Sequence, residues 1–568
     1  MPIRSLLLVI LAAGPLAAQQ SLPPSELRDT VARYTADRQA LFRRYEVEYS
    51  PAQRDRLRLF YRDWQARVAA IEMDRLGVEG RIDRILLDTQ VRHELAQLDL
   101  EERRYHEMTR FVPFAPVIMD LVESRREMQT VQPATTARAL ATLAAQTDSL
   151  RTALEQATPD TARATRIVAL RTVAFLESLR TDLQRWYGFY AGYDPIFTWW
   201  NKDPDTRADS ALVRYAKALR TRVIGQKEGE DEPIIGDPIG AEALKQELAF
   251  ELIPYSPEEL VDIAEREFAW SQAEMKRASR EMGFGDDWKQ ALEKVKNTYV
   301  EPGRQPDLVR DLAREAEEFV ESRDLVTVPP LAREIWRMEM LSPAQQKVSP
   351  FFLGGERILV SYPTDGMPED EKLMSLRGNN PHFSRATVFH ELIPGHHLQG
   401  FMNDRYNPHR DAFSTPFWTE GWSLYWEMLL WDKGFQQTPE DRVGALFWRM
   451  HRSARIIFSL RFHLGTMTPQ EAIDFLVDRV GHERANATAE VRRSFNGSYP
   501  PLYQIAYMMG GLQFRALHRD LVDSGRMTDK AFHDAILQGG NMPVEMVRAR
   551  LMGTLLGADY RPGWRFYQ

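Results

Sequence analysis

Residues 389–399 read FHELIPGHHLQ. Three of the chain's 12 histidines, His390, His396 and His397, fall within eight residues, and Glu391 follows the first. Imidazoles beside a carboxylate are the ligands and base of metal-assisted hydrolysis. The usual helical form is H-E-x-x-H, with two histidines one turn apart. Here the residue four after His390 is Pro394. On an uninterrupted helix His390 and His396 are about 600° apart and face different ways. His397 shares the face of His390 but lies about 10.5 Å along the axis. Neither pair reaches one ion from a regular helix.

Pro394 and Gly395 offer a way out. Proline has no N–H for the carbonyl of His390 and its ring clashes there. Glycine tolerates unusual backbone angles. The stretch Leu392–Pro394 is therefore expected to bulge, so that a second half-helix restarts with a changed phase. His396 then takes the place of the second histidine, with His397 on a neighbouring face. A third ligand must come from elsewhere. TPFWTEGWSLYWEMLL (415–430) carries Glu420 and, two turns later, Glu427, on an otherwise aromatic and apolar helix. Unpaired charge is costly to bury, so each acid needs a partner. For Glu420 that partner is expected to be the metal, and for Glu427 a surface arginine.

The elements that must hold these groups are mostly helical. Ala, Leu, Arg, Glu and Gln dominate 22–222, with apolar residues at three- and four-residue spacing. RATRIVALRTVAFLESLRTDLQRW (163–186) reads as one amphipathic helix, and TPDTARA and QPATTARA as turns with helix starts. Ser256-Pro257-Glu258-Glu259 and Thr468-Pro469-Gln470-Glu471 predict capping boxes with proline in the first turn. The acidic Pro/Gly stretch EGEDEPIIGDPIG (228–240) marks a soft boundary. The regions are thus 1–18, 19–235 and 236–568, the last two packed as one unit. The best strand is ERILVSYP (356–363), expected to run as an edge near Ile358–Ser361 and pair with substrate backbone.

Composition narrows the function. A net charge of −8 argues against nucleic acid as partner. The N-terminus, MPIRSLLLVILAAGPLAAQQS, has a basic residue, an apolar run too short to span a membrane, and small residues before Gln19. It reads as a secretory signal peptide over 1–18, and the mature chain is expected to be periplasmic or secreted without stable membrane insertion. There are no cysteines, so a metal site must use His, Asp and Glu, favouring zinc or a harder ion. The sequence leaves the oligomeric state open.

HELIPGHHLQ followed by TEGWSLYWE resembles the bacterial DUF885 family, placed in the gluzincin metallopeptidase clan with thimet-oligopeptidase-like and Taq-carboxypeptidase-like enzymes. RIIFSLRFH (455–463), SYPPLYQIAYMMG (498–510) and FHDAILQGGNMPVEMVRARL (532–551) are similar to further family stretches. Ser459 and Arg461 depart from the family's Asp and Gly. The resemblance implies a mainly α, gluzincin-like fold with a small sheet beside the zinc-binding helix and a deep cleft suited to short peptides. It implies one zinc per chain, held by His390, His396 and Glu420, with Glu391 as general base. Tyr507, which matches the family's tyrosine before Gly510, is then the first choice as oxyanion donor. Tyr499 and Tyr503 share its four-residue spacing, and a stripe of core tyrosines is the plainer account of all three. His463 and Arg455 are the further candidates for substrate or oxyanion contacts.

The expected function is an exported zinc peptidase. The alternatives are a metal-dependent hydrolase of another amide or ester, and a helical binding protein with a vestigial metal site. Glu391 argues against the last, because a structural site needs no base and is usually closed by four ligands.

Overall fold

The computed structural model describes residues 24–156, 163–227, 229–230, 232–346, 351–497 and 499–567. The expected signal peptide, and most of the turn TPDTARA, lie outside the described residues. The chain is mainly helical. Among the described residues no helix is long and apolar enough to cross a membrane.

Helix starts follow the local chemistry. Ser50 caps Pro51–Ala69 by accepting from the Gln53 N–H, and both predicted capping boxes form, at Ser256 and at Thr468. The amphipathic stretch becomes the helix Arg163–Tyr190 and QPATTARA opens Pro133–Gln156. These two pack with Ala115–Arg126 and Pro195–Leu219 around Leu140, Leu143, Leu176, Leu179, Phe197 and Leu212. The first three helices, Arg28–Arg44, Pro51–Ala69 and Val78–Met108, turn the other way. Their Val31, Trp64, Ile82 and Leu86 share one core with Trp418, Trp422 and Trp426 of the second half. Burial of this kind contributes roughly 25 cal/mol per Å² of apolar surface, so the N-terminal helices hold the wall behind the histidine motif.

A short parallel pair, β1 (Arg337–Met340) and β2 (Arg357–Val360), runs in the register Arg337↔Arg357 to Met340↔Val360. The predicted strand is therefore β2, but it is not open at its middle. Leu359 also makes an antiparallel bridge to Leu353, donating to and accepting from it at 2.8 and 3.0 Å. β2 thus has neighbours on both sides there, and the expected free edge at Ile358–Ser361 is corrected. The segment that borders the histidine motif is Phe351–Gly354.

Candidate metal centre

The histidine motif breaks where proline requires it. One helix, Pro381–Glu391, ends at Leu392, and a second, His396–Asn403, starts after Gly395. The carbonyl of His390, which Pro394 cannot serve, accepts instead from Ser423 Oγ at 3.0 Å. The carbonyl of Pro394 accepts from Trp422 Nε1 at 2.9 Å. Both donors sit on the aromatic helix Pro416–Asp432. Gly395 is required by space: a Cβ there would lie 1.9 Å from the His390 carbonyl oxygen.

The bulge sends the two adjacent histidines apart. His396 Nε2 lies 3.1 Å from Glu420 Oε2. His397 turns away, its Nε2 2.6 Å from the carbonyl oxygen of Ala332. His390 Nε2 is 3.7 Å from the same Glu420 oxygen. Two ligands about 2.1 Å from one zinc in a tetrahedral arrangement stand roughly 3.4 Å apart, so these spacings fit a shared ion. Donor atoms of His390, Glu391 and His396 also lie within 4.8 Å of one another, the one such group of three among the described residues. Two carboxylates therefore flank the imidazole pair. They differ in their bonding. Glu420 is held by both imidazoles and by the Tyr503 hydroxyl, which donates to its Oε1. The side chain of Glu391 takes no hydrogen bond and no ion pair among the described residues.

The electrostatics match a cation site. Burial alone would raise Glu420, yet His396 and His390 hold it well below its usual range. Burial would lower His390, but its hydrogen bonds to Glu420 and Glu427 raise it to about 9. Without a metal the carboxylates keep a proton on this imidazole; a bound cation supplies the same positive charge. Burial raises the carboxyl of Glu391, and the two histidines only partly offset that. Gly354 lets the chain pass close over this acid, since a Cβ there would fall 2.2 Å from Glu391 Oε2.

The aromatic helix meets the helix Tyr503–His518 at a glycine contact. A Cβ on Gly421 would lie 2.6 Å from the Cα of Gly510. This close approach brings the tyrosines to the site. Tyr507 stacks on His390 with ring centres 6.3 Å apart. Tyr499, Tyr503 and Tyr507 all line a cavity of about 500 Å³ together with His390, Glu391, His396 and Glu420, within the size range of small-ligand pockets.

Arg455 lines the same cavity. His463 does not. It sits eight residues further along the helix Pro439–His463, which is about 12 Å by the helical rise. There it packs on Phe462, and burial lowers its pKa to about 4. The expectation that His463 contacts substrate is therefore corrected. Glu427 does pair with an arginine, Arg452 at 3.5 Å, but in the interior, and it also bonds His390 Nδ1 at 2.7 Å. That second contact orients the imidazole so that Nε2 faces Glu420, as carboxylates behind metal-binding histidines do. The two-turn spacing from Glu420 was the signal for this role. Arg452 and Arg493, both lining the cavity, were not found from sequence. They stand on the helices Pro439–His463 and Arg484–Phe495, whose meeting at this cavity no local pattern announces.

The architecture recurs in solved structures. A chain described as "a putative lipoprotein of unknown function from Shewanella oneidensis" matches with a TM-score of 0.66 at 18% identity, over 93% of this chain and 100% of that one. A second, described as "the putative lipoprotein from Colwellia psychrerythraea", matches with a TM-score of 0.58 at 15% identity, over 93% and 98%. No curated protein matches this sequence. Residues 34–551 match the model of DUF885, a bacterial protein family of unknown function. The chain belongs to that family.

Proposed function

We propose that this protein is an exported zinc-dependent peptidase of the gluzincin type that hydrolyses short peptides. The observation that carries the reading is the pairing of unlike carboxylates at one imidazole pair. Glu420 is fixed by His390, His396 and Tyr503, while the side chain of Glu391 stands beside them with no hydrogen bond among the described residues. Ligands are held, whereas a general base must be available to take a proton. His390, His396 and Glu420 would hold the zinc, which when bound supplies Lewis acidity toward a carbonyl and makes a water acidic enough to attack. Glu391 then accepts the water proton and delivers it to the leaving amine. Glu427 keeps His390 in the tautomer that presents Nε2. The Tyr507 hydroxyl donates to the oxygen that gains negative charge. Phe351–Gly354, beside Glu391, offers backbone along which an extended peptide can lie. Export is supported by the N-terminal basic, apolar and small-residue pattern, and by the description of the two fold neighbours as lipoproteins.

The test is the Glu391→Gln protein. It should retain about one zinc per chain by elemental analysis and lose roughly 10²–10⁴-fold in turnover of a mixed peptide library. Near-normal turnover by this variant, or a wild-type protein that binds no zinc, would rule the reading out.

A further inference from the structure

The cavity has a second chemical character. Arg452, Arg455 and Arg493 line it beside the tyrosines. Arg452 is 6% exposed and Arg455 2%. Their partners are too few. Arg455 Nε donates to Glu490 Oε1 at 2.7 Å, and Arg493 Nε lies 3.3 Å from the other oxygen of the same acid. Arg452 reaches only Glu427, at 3.5 Å, and Glu427 already serves His390. Three guanidinium groups thus face two carboxylates, one of them engaged elsewhere. Arg452 Nε and Arg455 Nη1 are buried with no hydrogen-bond partner among the described residues. A guanidinium stays charged under all ordinary conditions, and leaving its donors buried and unpaired is costly. This end of the cavity therefore carries guanidinium charge that an entering anion can meet.

The position identifies the anion. The Cζ atoms of Arg452 and Arg455 lie 4.5 and 4.7 Å from the Tyr507 ring centre. That ring lies 6.3 Å from the ring of His390. These two legs span at most about 11 Å, and a carboxylate paired with a guanidinium takes up about 4 Å of that. A peptide advances roughly 3.3–3.6 Å per residue, so the carboxylate stands within about two residues of a carbonyl placed between His390 and His396. We infer that Arg452, Arg455 and Arg493 bind the free C-terminal carboxylate of the peptide substrate, which makes the enzyme an exopeptidase that removes one or two residues from the C-terminus. This rests on the peptidase reading above. A carboxylate also matches the paired N–H donors of a guanidinium. Each turnover consumes one water: the C–N bond breaks, the oxygen stays on the shortened peptide as its new carboxylate, and the released amine takes both protons and leaves as an ammonium. An acidic side chain carries the same anion, and the peptides below distinguish it from a chain terminus.

Three versions of one short peptide test this: the free acid, its C-terminal amide, and the amide with a Glu placed next to the C-terminus. Mass spectrometry of products should show the free acid losing one or two C-terminal residues. Its kcat/KM should exceed that of the plain amide by about 10- to 100-fold. Arg455→Met should collapse the acid-to-amide ratio chiefly through KM, and Arg455→Lys should restore part of it. Arg493→Met, which leaves the Arg455–Glu490 pair in place, is the second variant should Arg455→Met fail to fold. Equal cleavage of acid and amide, or cuts far from the C-terminus, overturns the inference and leaves the peptidase reading standing. Equal cleavage of the acid and the Glu-bearing amide shows side-chain recognition and also overturns it. Binding of acid and amide to the Glu391→Gln protein, read by calorimetry, separates the two ideas. Preference for the acid without any turnover by the wild type keeps the carboxylate site and discards the peptidase.

Discussion

Arg410 and Arg455 are both almost wholly buried, yet their surroundings differ. Every nitrogen of the Arg410 guanidinium has a partner. Nε donates to Asp83 at 2.7 Å, Nη1 to the Gly539 carbonyl at 2.6 Å, and Nη2 to Glu79 at 2.6 Å. Arg550 donates to the second oxygen of Glu79 at 2.6 Å. This network ties the N-terminal helix Val78–Met108 to the turn Pro408–Phe413, between the histidine helices and Glu420. At the cavity, Arg455 Nη1 and Arg452 Nε have no hydrogen-bond partner among the described residues, and the side chain of Glu391 takes none from them either. Arg410 is thus satisfied wholly within the fold, whereas Arg455 and Arg452 keep donors in reserve beside the cavity.

Substitutions can break or sharpen that contrast. The largest change is expected from Arg410→Met. It leaves Asp83 paired only with His409, and Glu79 only with Arg550, among the described residues of the interior and should cost about 3–5 kcal/mol, seen as a large drop in the denaturant midpoint. A change below about 1 kcal/mol would mean that the network is no brace. Tyr507→Phe comes next. Removing an oxyanion donor costs roughly 10²–10³ in kcat, with KM, zinc content and Tm little changed. If kcat holds, the tyrosine belongs with the packing residues. Tyr503→Phe should act differently, because its hydroxyl orients Glu420. Loss of such a contact typically weakens metal affinity about 10- to 100-fold, measured by competition with a chelator. Unchanged affinity would remove Tyr503 from the support of Glu420.

The smallest effect concerns Glu251, which accepts from Thr415 Oγ1 at 2.5 Å at the start of the Glu420 helix. Burial pushes its carboxyl up to about 8, against about 4.3 in an unfolded chain. Between those values the folded state holds more protons, so this group's contribution to stability falls as pH rises from about 4.5 to 8 and is then constant. Glu251→Gln should therefore flatten the pH dependence of Tm over that window and favour the variant at pH 8. Parallel pH profiles for the two proteins would remove Glu251 as a source of that slope.

Much of the site was legible because its residues are close in sequence. Pro394 four after His390 predicts the break, and Gly395 the tight restart; the structure has both. Glu420 and Glu427, two turns apart, share a face; the spacing assigned Glu420 to the metal site but left Glu427 to a surface arginine, although both reach His390. Elsewhere spacing was a poor guide. Arg455 and His463 lie on roughly similar faces of one helix, yet only Arg455 lines the cavity, because position along the axis decides what a side chain meets. The strand at 356–363 was readable as a strand, but Leu353, folding back on Leu359, took the edge that local pattern left open.

The sequence by itself determined the helical class, the capping boxes, the broken histidine helix and the separation of His396 from His397. Each is set within a few residues by backbone sterics and helical period. Tertiary structure alone decided that the chain passes over Glu391 at Gly354, that Glu427 faces inward to His390, and that Gly421 meets Gly510 so that Tyr503 reaches Glu420. It also gathered Arg452, Arg455 and Arg493 at one end of the cavity. Those contacts join residues tens to hundreds of positions apart. They depend on how helices cross and how closely they approach, which is settled by the packing of whole faces, and no local periodicity carries that information.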